Sequence, residues 1–205
     1  IKKEIYPKTK RVSCMGDKVE LTEKLDGSNL VIFKKNDELY IAQRNNIFKI
    51  NELEENKDKL YKGLLQWIND NRESFEDLHN DSAVCGEWIG MEQIKYPVDE
   101  FDKRYYMFAK ANIDDEFNLY NLIYDHNLFI YPFQSQEIPK CMGIVPVVTE
   151  LNVIPSKEHL DSIYEKYCKS VNRNVEGFVV NYKNIITKYV RMKNGQLREH
   201  FDRGE

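Results

Sequence analysis

The sequence lacks the features that mark membrane, secreted and zinc-dependent proteins. It holds 4 cysteines and 4 histidines in 205 residues, and no two cysteines form a Cys-x-x-Cys pair, so a structural zinc site is not expected. No apolar run approaches the roughly 20 residues of a membrane span. The first residues also lack the apolar segment of a signal peptide. We therefore interpret the cysteines as reduced thiols and predict a cytoplasmic protein.

An excess of positive charge is also missing. The chain has 30 Lys and Arg against 34 Asp and Glu, which gives a net charge of −4. Proteins that coat nucleic acid through non-specific charge are usually basic, so this class is not favoured. A local basic groove on an acidic body remains compatible with a nucleic-acid substrate. The hydrophobic fraction of 41% is typical of a soluble globular chain.

Apolar periodicity predicts one α+β domain over residues 1–205, dominated by antiparallel strands with peripheral helices. Leucines at helical spacing predict an amphipathic helix over about 52–71, and Ser156 is expected to cap a second helix that extends to Val171. Residues 110–140 receive no assignment. Strands are predicted over 19–24, 29–35, 38–44, 83–88, 104–109, 175–182 and 185–193.

Residues 22–29 (Thr-Glu-Lys-Leu-Asp-Gly-Ser-Asn) run from the end of the first predicted strand to the start of the second. Asp26-Gly27 between apolar runs predicts a hairpin, because glycine adopts positive φ without a clash. A second hairpin is expected to turn at residues 35–37. Taken alone, the first motif favours a plain hairpin with a solvated Lys24, since single short motifs often occur by chance.

Further short clusters along the predicted strands change this interpretation. The series runs Lys24-x-Asp26-Gly27, Arg44, Gly86-Glu87, Phe108, Glu176-Gly177 and Arg191-x-Lys193. It resembles the motif series of the covalent nucleotidyltransferases, which comprise ATP-dependent DNA and RNA ligases and mRNA capping enzymes. Within this superfamily, residues 24–29, 86–90 and 176–180 are most similar to RNA ligases. The resemblance spans residues 24–193 and implies the antiparallel, ATP-grasp-like adenylation domain of a ligase.

A lysine that attacks the α-phosphate of ATP must be deprotonated, although a free lysine amine titrates near pH 10.4. Burial and nearby cations disfavour the ammonium form. We expect Lys24 to face Arg191 and Lys193, whose charges would also neutralise the phosphates as pyrophosphate leaves. The resemblance implies that Lys24 carries AMP covalently. Arginine at 191, where the family usually has lysine, keeps the charge but not the geometry of an ammonium.

The resemblance implies nucleotide-binding roles for four more residues. Arg44 would contact a nucleotide phosphate or the 5′-phosphate end, because its planar fork binds phosphate oxygens in pairs; a solvated arginine is the alternative. Glu87 would accept hydrogen bonds from the ribose hydroxyls, unless it forms an internal salt bridge. Phe108 would stack on adenine, unless it is ordinary core. Glu176 would lie near Mg²⁺ or Mn²⁺, directly or through water.

Supporting roles are implied for four neighbours of the lysine. Glu23 would help to recognise the adenine edge, and Asp26 would act electrostatically. Ser28 and Asn29 would hydrogen-bond a phosphate or a metal-bound water.

The implied activity is an RNA-repair ligase that joins 5′-phosphate and 3′-hydroxyl ends, with a nicked duplex among the candidate substrates. Three alternatives stay open: a minimal DNA nick ligase, a capping-type guanylyltransferase, and a non-catalytic nucleotide- or nucleic-acid-binding member of the fold. About a dozen residues follow Lys193, too few for the OB-fold domain of DNA ligases and capping enzymes. We expect either a minimal enzyme or the adenylation module alone.

Overall fold

The protein is described by a computed structural model over residues 18–44, 46–52, 61–90, 94–124, 126, 138–193 and 196–197. These residues form mostly antiparallel sheets with two α-helices, in agreement with the α+β class expected from the sequence. No helix in this part of the chain is both long enough and apolar enough to cross a membrane.

The helices and the strands are each numbered in chain order. The helices are α1 (Leu64–Asp70) and α2 (Lys157–Val171). The strands are β1 (Val19–Lys24), β2 (Ser28–Lys35), β3 (Glu38–Gln43), β4 (Asn46–Lys49), β5 (Ser82–Trp88), β6 (Tyr105–Ile113), β7 (Leu119–Ile123), β8 (Gly143–Ile144), β9 (Val147–Leu151), β10 (Gly177–Tyr182), β11 (Ile185–Val190), β12 (Met192–Lys193) and β13 (Gln196–Leu197).

The strands divide between a large and a small sheet. The large sheet has the order β4-β3-β2-β5-β6-β7, with β8 added parallel to β6. The small sheet has the order β11-β10-β1-β9, and β12 pairs with β13 separately. Strands β1 and β2 thus belong to different sheets, and the segment 25–27 is the crossing between them.

The first predicted hairpin is therefore wrong, whereas the second is confirmed. Asn36 and Asp37 adopt φ values of 50° and 61° in the turn between β2 and β3. Among the glycines that the structure describes, Gly63 has a positive φ and Gly27 does not. Gly27 is instead needed for close approach, because a Cβ there would lie 2.6 Å from the Trp88 carbonyl oxygen.

The first helix is shorter than predicted. It begins at Leu64, because the preceding residue, Gly63, has a left-handed backbone conformation (φ 83°) that a right-handed helix cannot include. Leu64 and Ile68 are buried against the large sheet, as their spacing indicated. Part of the predicted range, residues 53–60, lies outside the described residues.

The second helix covers one face of the small sheet. Leu160 and Tyr164 are buried against Phe178 and Tyr189 of β10 and β11. The predicted cap is present, since the Ser156 hydroxyl accepts a hydrogen bond from the His159 amide at 3.1 Å.

We expect Ser156→Ala to lower the free energy of unfolding by about 1 kcal/mol, because it leaves a helix N-terminal amide without its acceptor. Urea denaturation would measure the change. Ser170→Ala, at the other end of the same helix, serves as the control, and its effect should be smaller. Equal effects of the two substitutions would contradict the capping role.

Each sheet carries a helix on one face, and the opposite, helix-free faces of the two sheets lie towards each other. Trp88 packs on the α1 side of the large sheet, so its neighbour Glu87 points to the opposite face. Glu23 contacts Tyr167 of α2, so Lys24 likewise points away from that helix. A Cβ at Gly27 would lie 3.1 Å from Glu87 Oε2, so Glu87 lies beside the crossing that follows Lys24, and the charge of Lys24 acts to lower the pKa of Glu87. We call the space between these two faces the cleft.

Candidate active site

Lys24 and Glu176 form an ion pair in this cleft. The Lys24 Nζ donates to Glu176 Oε2 at 2.7 Å, and the two side chains are 29% and 15% exposed. The register explains the contact, because Lys24 at the end of β1 pairs with Gly177 at the start of β10. A Cβ at Gly177 would lie 1.9 Å from the Tyr189 carbonyl oxygen, so a side chain there would separate β10 from β11.

Glu87 faces this ion pair from β5 of the large sheet. Burial raises the pKa of its carboxyl group to about 7; the charges of Glu176 and Asp26 add to the rise and that of Lys24 opposes it. Burial also raises the pKa of Glu176, whereas Lys24 opposes that shift. The carboxyl groups of Glu87, Glu176 and Asp26 therefore affect one another, and Lys24 opposes the rise in the pKa of both Glu87 and Glu176. Such a concentration of perturbed groups is typical of functional sites.

Phe108 lies at an irregularity of β6 close to Glu87. Cys85 pairs with Ala109 and Gly86 with Met107, so Phe108 is an extra residue between two ladder positions. Its ring is half-buried, packs near Leu25, and is parallel to the Tyr124 ring at a centroid distance of 6.4 Å. The bulge gives this side chain a direction that strict alternation would not.

The residues that follow Lys24 organise the crossing between the sheets. The Asp26 carboxylate accepts a hydrogen bond from the Ile94 amide at 2.8 Å, and the Asp26 amide donates to the Tyr96 hydroxyl at 2.7 Å. Ser28 and Asn29 begin β2, and Asn29 pairs with Glu87. Asn29 and Glu87 therefore project from the same face of the large sheet.

Arg44 lies in the exposed turn between β3 and β4, outside the ladder itself. The last β2–β3 pair is Val31 with Ala42, two residues before Arg44. Arg44 therefore lies at the end of the large sheet where β2 begins with Ser28 and Asn29.

Glu23 does not face the cleft. Its carboxylate is fully buried on the α2 side, where both oxygens accept hydrogen bonds from Arg173 at 2.7 Å and one accepts from the Tyr167 hydroxyl at 2.6 Å. This differs from the expectation of an adenine contact. The alternation of β1 sends residues 23 and 24 to opposite faces. The Glu23 side chain therefore links β1 to α2 and to Arg173.

Arg173 is the residue that sequence reasoning missed. Its guanidinium also makes two hydrogen bonds to Glu100, at 2.8 and 3.1 Å, and stacks on the Phe101 ring at 4.7 Å. The side chain is 6% exposed. Arg173 thereby joins β1, the 96–101 segment and the loop before Glu176. The available signal was Glu23 itself, since a carboxylate in an apolar strand needs a partner.

Arg191 also departs from expectation, because it binds α2 instead of facing Lys24. Its Nη1 donates to Asp161 Oδ1 and to the Tyr189 hydroxyl, both at 3.1 Å, and its guanidinium lies 5.0 Å from the Tyr164 ring centroid. Arg191 follows Tyr189 by two residues and shares its side of the chain. Lys193 is half-buried in β12, opposite Gln196.

No cluster of three or more His, Cys, Asp or Glu side chains in the described ranges could hold a metal by itself. Glu176, Glu87 and Asp26 supply oxygen donors of the kind that Mg²⁺ prefers. They suit an ion that would take its remaining ligands from phosphates and water.

Comparison with known proteins identifies the family. A family model described as RNA ligase matches residues 17–193. No curated protein matches the chain. Among solved structures, the chain is similar to an apo mutant of Naegleria gruberi RNA ligase, with 21% identity and a TM-score of 0.54 over 85% of this chain and 50% of that one.

Two further mutants of the same ligase are similarly close. One, solved with AMP and Mn, has 20% identity and a TM-score of 0.56 over 87% of this chain and 51% of that one. Another, solved with ATP and Mn, has 20% identity and a TM-score of 0.53 over 90% and 55%. The chain thus spans about half the length of these proteins, and at such identities the likeness shows the fold alone. Because the family model covers every cluster from Lys24 to Lys193, the chain belongs to the RNA ligase family.

Proposed function

We propose that this chain is the adenylation domain of an ATP-dependent RNA ligase, with the nucleotidyltransferase architecture of ligases and with Lys24 as the nucleophile. The observation that carries the proposal is the Lys24–Glu176 ion pair, faced by Glu87 across the cleft. Family membership supports the class of reaction. Similar Naegleria gruberi structures were solved with ATP or AMP and Mn, which supports the choice of nucleotide.

In the first step, Lys24 must lose a proton before its amine can attack the α-phosphorus of ATP. Glu176, at 2.7 Å, is placed to accept it, and the burial that raises the pKa of Glu176 favours the protonated carboxyl. The N–P bond forms while the bond from that phosphorus to the bridging oxygen breaks. Pyrophosphate leaves with the bonding electrons, and the nitrogen releases a second proton to solvent. Lys24 then carries AMP as a phosphoramidate.

The second step transfers AMP from Lys24 to the 5′-phosphate of an RNA end. The N–P bond breaks, a phosphoanhydride forms, and the lysine nitrogen recovers a proton. In the third step a 3′-hydroxyl attacks the activated 5′-phosphorus. A phosphodiester forms, the hydroxyl proton is lost, and AMP leaves. Arg44, which follows β3 at the end of the sheet where β2 begins, is proposed to bind the 5′-phosphate.

The remaining residues would bind the nucleotide. Glu87 is proposed to accept hydrogen bonds from the ribose hydroxyls, and Phe108 to stack on the base. Ser28 and Asn29, at the start of β2, would bind phosphate or water. Lys193 is proposed to add positive charge. A bound Mg²⁺ or Mn²⁺ near Glu176, in contact with it directly or through water, would supply further neutralisation of phosphate charge.

The test is intact-protein mass spectrometry after incubation with ATP and Mg²⁺. The wild type should gain the mass of one AMP, and pyrophosphate should remove it. Lys24→Ala should gain nothing, because it lacks the amine. Lys34→Ala, which changes a half-buried lysine of β2 that donates to the Glu76 carbonyl oxygen, should be labelled like the wild type. No adduct on wild type shown beforehand to be free of AMP would overturn the proposal.

The same assay distinguishes the related reactions. Labelling with GTP in place of ATP would instead indicate a capping-type transferase. The adenylylated protein would then be offered RNA and DNA with 5′-phosphate ends, as nicks and as single strands. Transfer to DNA nicks with none to RNA would replace the RNA ligase proposal with a DNA ligase.

A further inference from the structure

The small sheet presents a second lysine on the face that carries Lys24. Phe178 and Tyr189, a register pair, face α2. The next pair, Val179 and Lys188, must then point to the opposite face, towards the cleft. Lys188 is exposed on β11, which is the edge strand of this sheet.

Lys188 lies within reach of the groups around Lys24. Lys24 pairs with Gly177, and Lys188 with Val179 two residues further along β10. With strands about 4.8 Å apart, the Cα atoms of the two lysines are about 12 Å from each other. Both side chains can extend over Gly177, where no side chain intervenes. The charge of Lys188 also acts on Glu176, the partner of Lys24.

One of the two cations expected at this place from the sequence, Arg191, is held elsewhere. Arg191 is 12% exposed and engaged by Asp161 and Tyr189 on the α2 side. Transfer of a nucleotide to Lys24 nevertheless increases the charge on the departing pyrophosphate, which needs a cation close by. Lys188, on β11 of the small sheet, projects from the face opposite α2, which is the face that carries Lys24.

We propose that Lys188 binds the β- and γ-phosphates of the nucleotide and remains bound to pyrophosphate as it leaves. This inference rests on the proposed function, since it assigns a residue to the triphosphate of the same site. The bond that breaks lies between the α-phosphorus and the bridging oxygen, and the electrons go to pyrophosphate. Lys188 exchanges no proton or electrons and contributes charge alone.

The inference makes a step-specific prediction, because pyrophosphate takes part only in the first step. Lys188→Met keeps most of the length of the side chain and removes the charge. At limiting ATP, adenylylation of Lys24 should slow by roughly 10- to 100-fold, and removal of AMP by limiting pyrophosphate should slow similarly. Transfer of AMP from the already adenylylated variant to a 5′-phosphate end should proceed at the wild-type rate.

Two matched variants accompany this measurement. Lys188→Arg keeps the charge and should stay within about threefold of the wild type. Lys183→Met removes a lysine from the adjacent turn, where its ammonium lies 5.1 Å from the Tyr182 ring centroid, and should leave every rate unchanged. Thermal denaturation would confirm that all three variants are folded.

The outcomes separate the two levels of the proposal. If the wild type is adenylylated and Lys188→Met shows unchanged dependence on ATP and pyrophosphate, the role of Lys188 is overturned and the proposed function stands. Equal slowing of adenylylation and of AMP transfer would also overturn it, since that pattern indicates general damage to the site. If the wild type takes no AMP, the proposed function fails and this inference falls with it.

Discussion

Arg173→Met is expected to lower the free energy of unfolding by about 3–5 kcal/mol, the cost of leaving a buried charge without its partner. Arg173 binds both oxygens of the fully buried Glu23 carboxylate and both oxygens of Glu100. Methionine fills similar space between Phe101 and Tyr96 but offers Glu23 no hydrogen bond. Urea or thermal denaturation would measure the loss.

A second substitution tests whether the unpaired carboxylate causes this loss. Arg173→Met combined with Glu23→Met removes both charges, and replacing a buried ion pair with apolar side chains is often nearly neutral. We expect the double variant to be more stable than Arg173→Met alone. Glu100 can remain hydrated, because its side chain is 38% exposed. A single variant within about 1 kcal/mol of the wild type would show that this pair contributes little.

Glu87→Gln is expected to make the protein more stable near pH 8 and to slow the proposed adenylylation. The pKa of Glu87 is about 7 in the folded protein against 4.5 for the unperturbed group. Between these values the folded state binds more protons than the unfolded state, so this group's contribution to stability falls as the pH rises. At about 1.4 kcal/mol per pKa unit, the carboxylate costs up to about 3 kcal/mol above pH 7.

The stability gain should therefore depend on pH in a defined way. It should be largest at about pH 8, shrink as the pH falls through 7, and vanish below about 4.5, where Glu87 is protonated in both states. Glu116→Gln, an exposed carboxyl group in the turn between β6 and β7, is the control and should show no such trend. A gain that stays constant from pH 8 to pH 5 would contradict the raised pKa as its cause.

The same variant should bind nucleotide less well. If Glu87 accepts hydrogen bonds from ribose as a carboxylate, glutamine should slow adenylylation at limiting ATP by roughly 10- to 100-fold, equivalent to about 1.4–2.7 kcal/mol. For the wild type, that rate should fall as the pH drops below about 7, because Glu87 becomes protonated. Stability and activity would then change in opposite directions, as is common where a binding site holds a buried charge.

Local patterns predicted much of the fold. The β2–β3 hairpin and the Ser156 cap depend on neighbouring residues, so their signals lie within a few positions of each other. The Asp26-Gly27 segment carries the same local signal as a hairpin, yet β1 pairs with β9 and β10 instead of β2. Strand partners so distant along the chain cannot be recognised from the sequence of the turn itself.

The candidate site was likewise predicted only in part. The clusters predicted that Lys24, Glu87 and Glu176 come together, and the structure brings them together, although their roles stay predictions. Side-chain direction was harder to foresee, because a shift of one residue moves a strand side chain to the other face. Arg191 therefore carries the expected charge but on the α2 side, and the contacts of Arg173 depend on packing that no motif records.

The pairing of β1 with β10 also sets an order of events. Lys24 and Glu176 are 152 positions apart, and contacts at such separation form late because a long loop must close first. A chain emerging from the ribosome would expose Lys24, the proposed nucleophile, long before Glu176. If the proposed reaction needs both residues, a nascent or misfolded molecule would not gain AMP. A covalent AMP would then mark only molecules in which Lys24 and Glu176 had already come together, and its yield would measure the correctly folded fraction of a preparation.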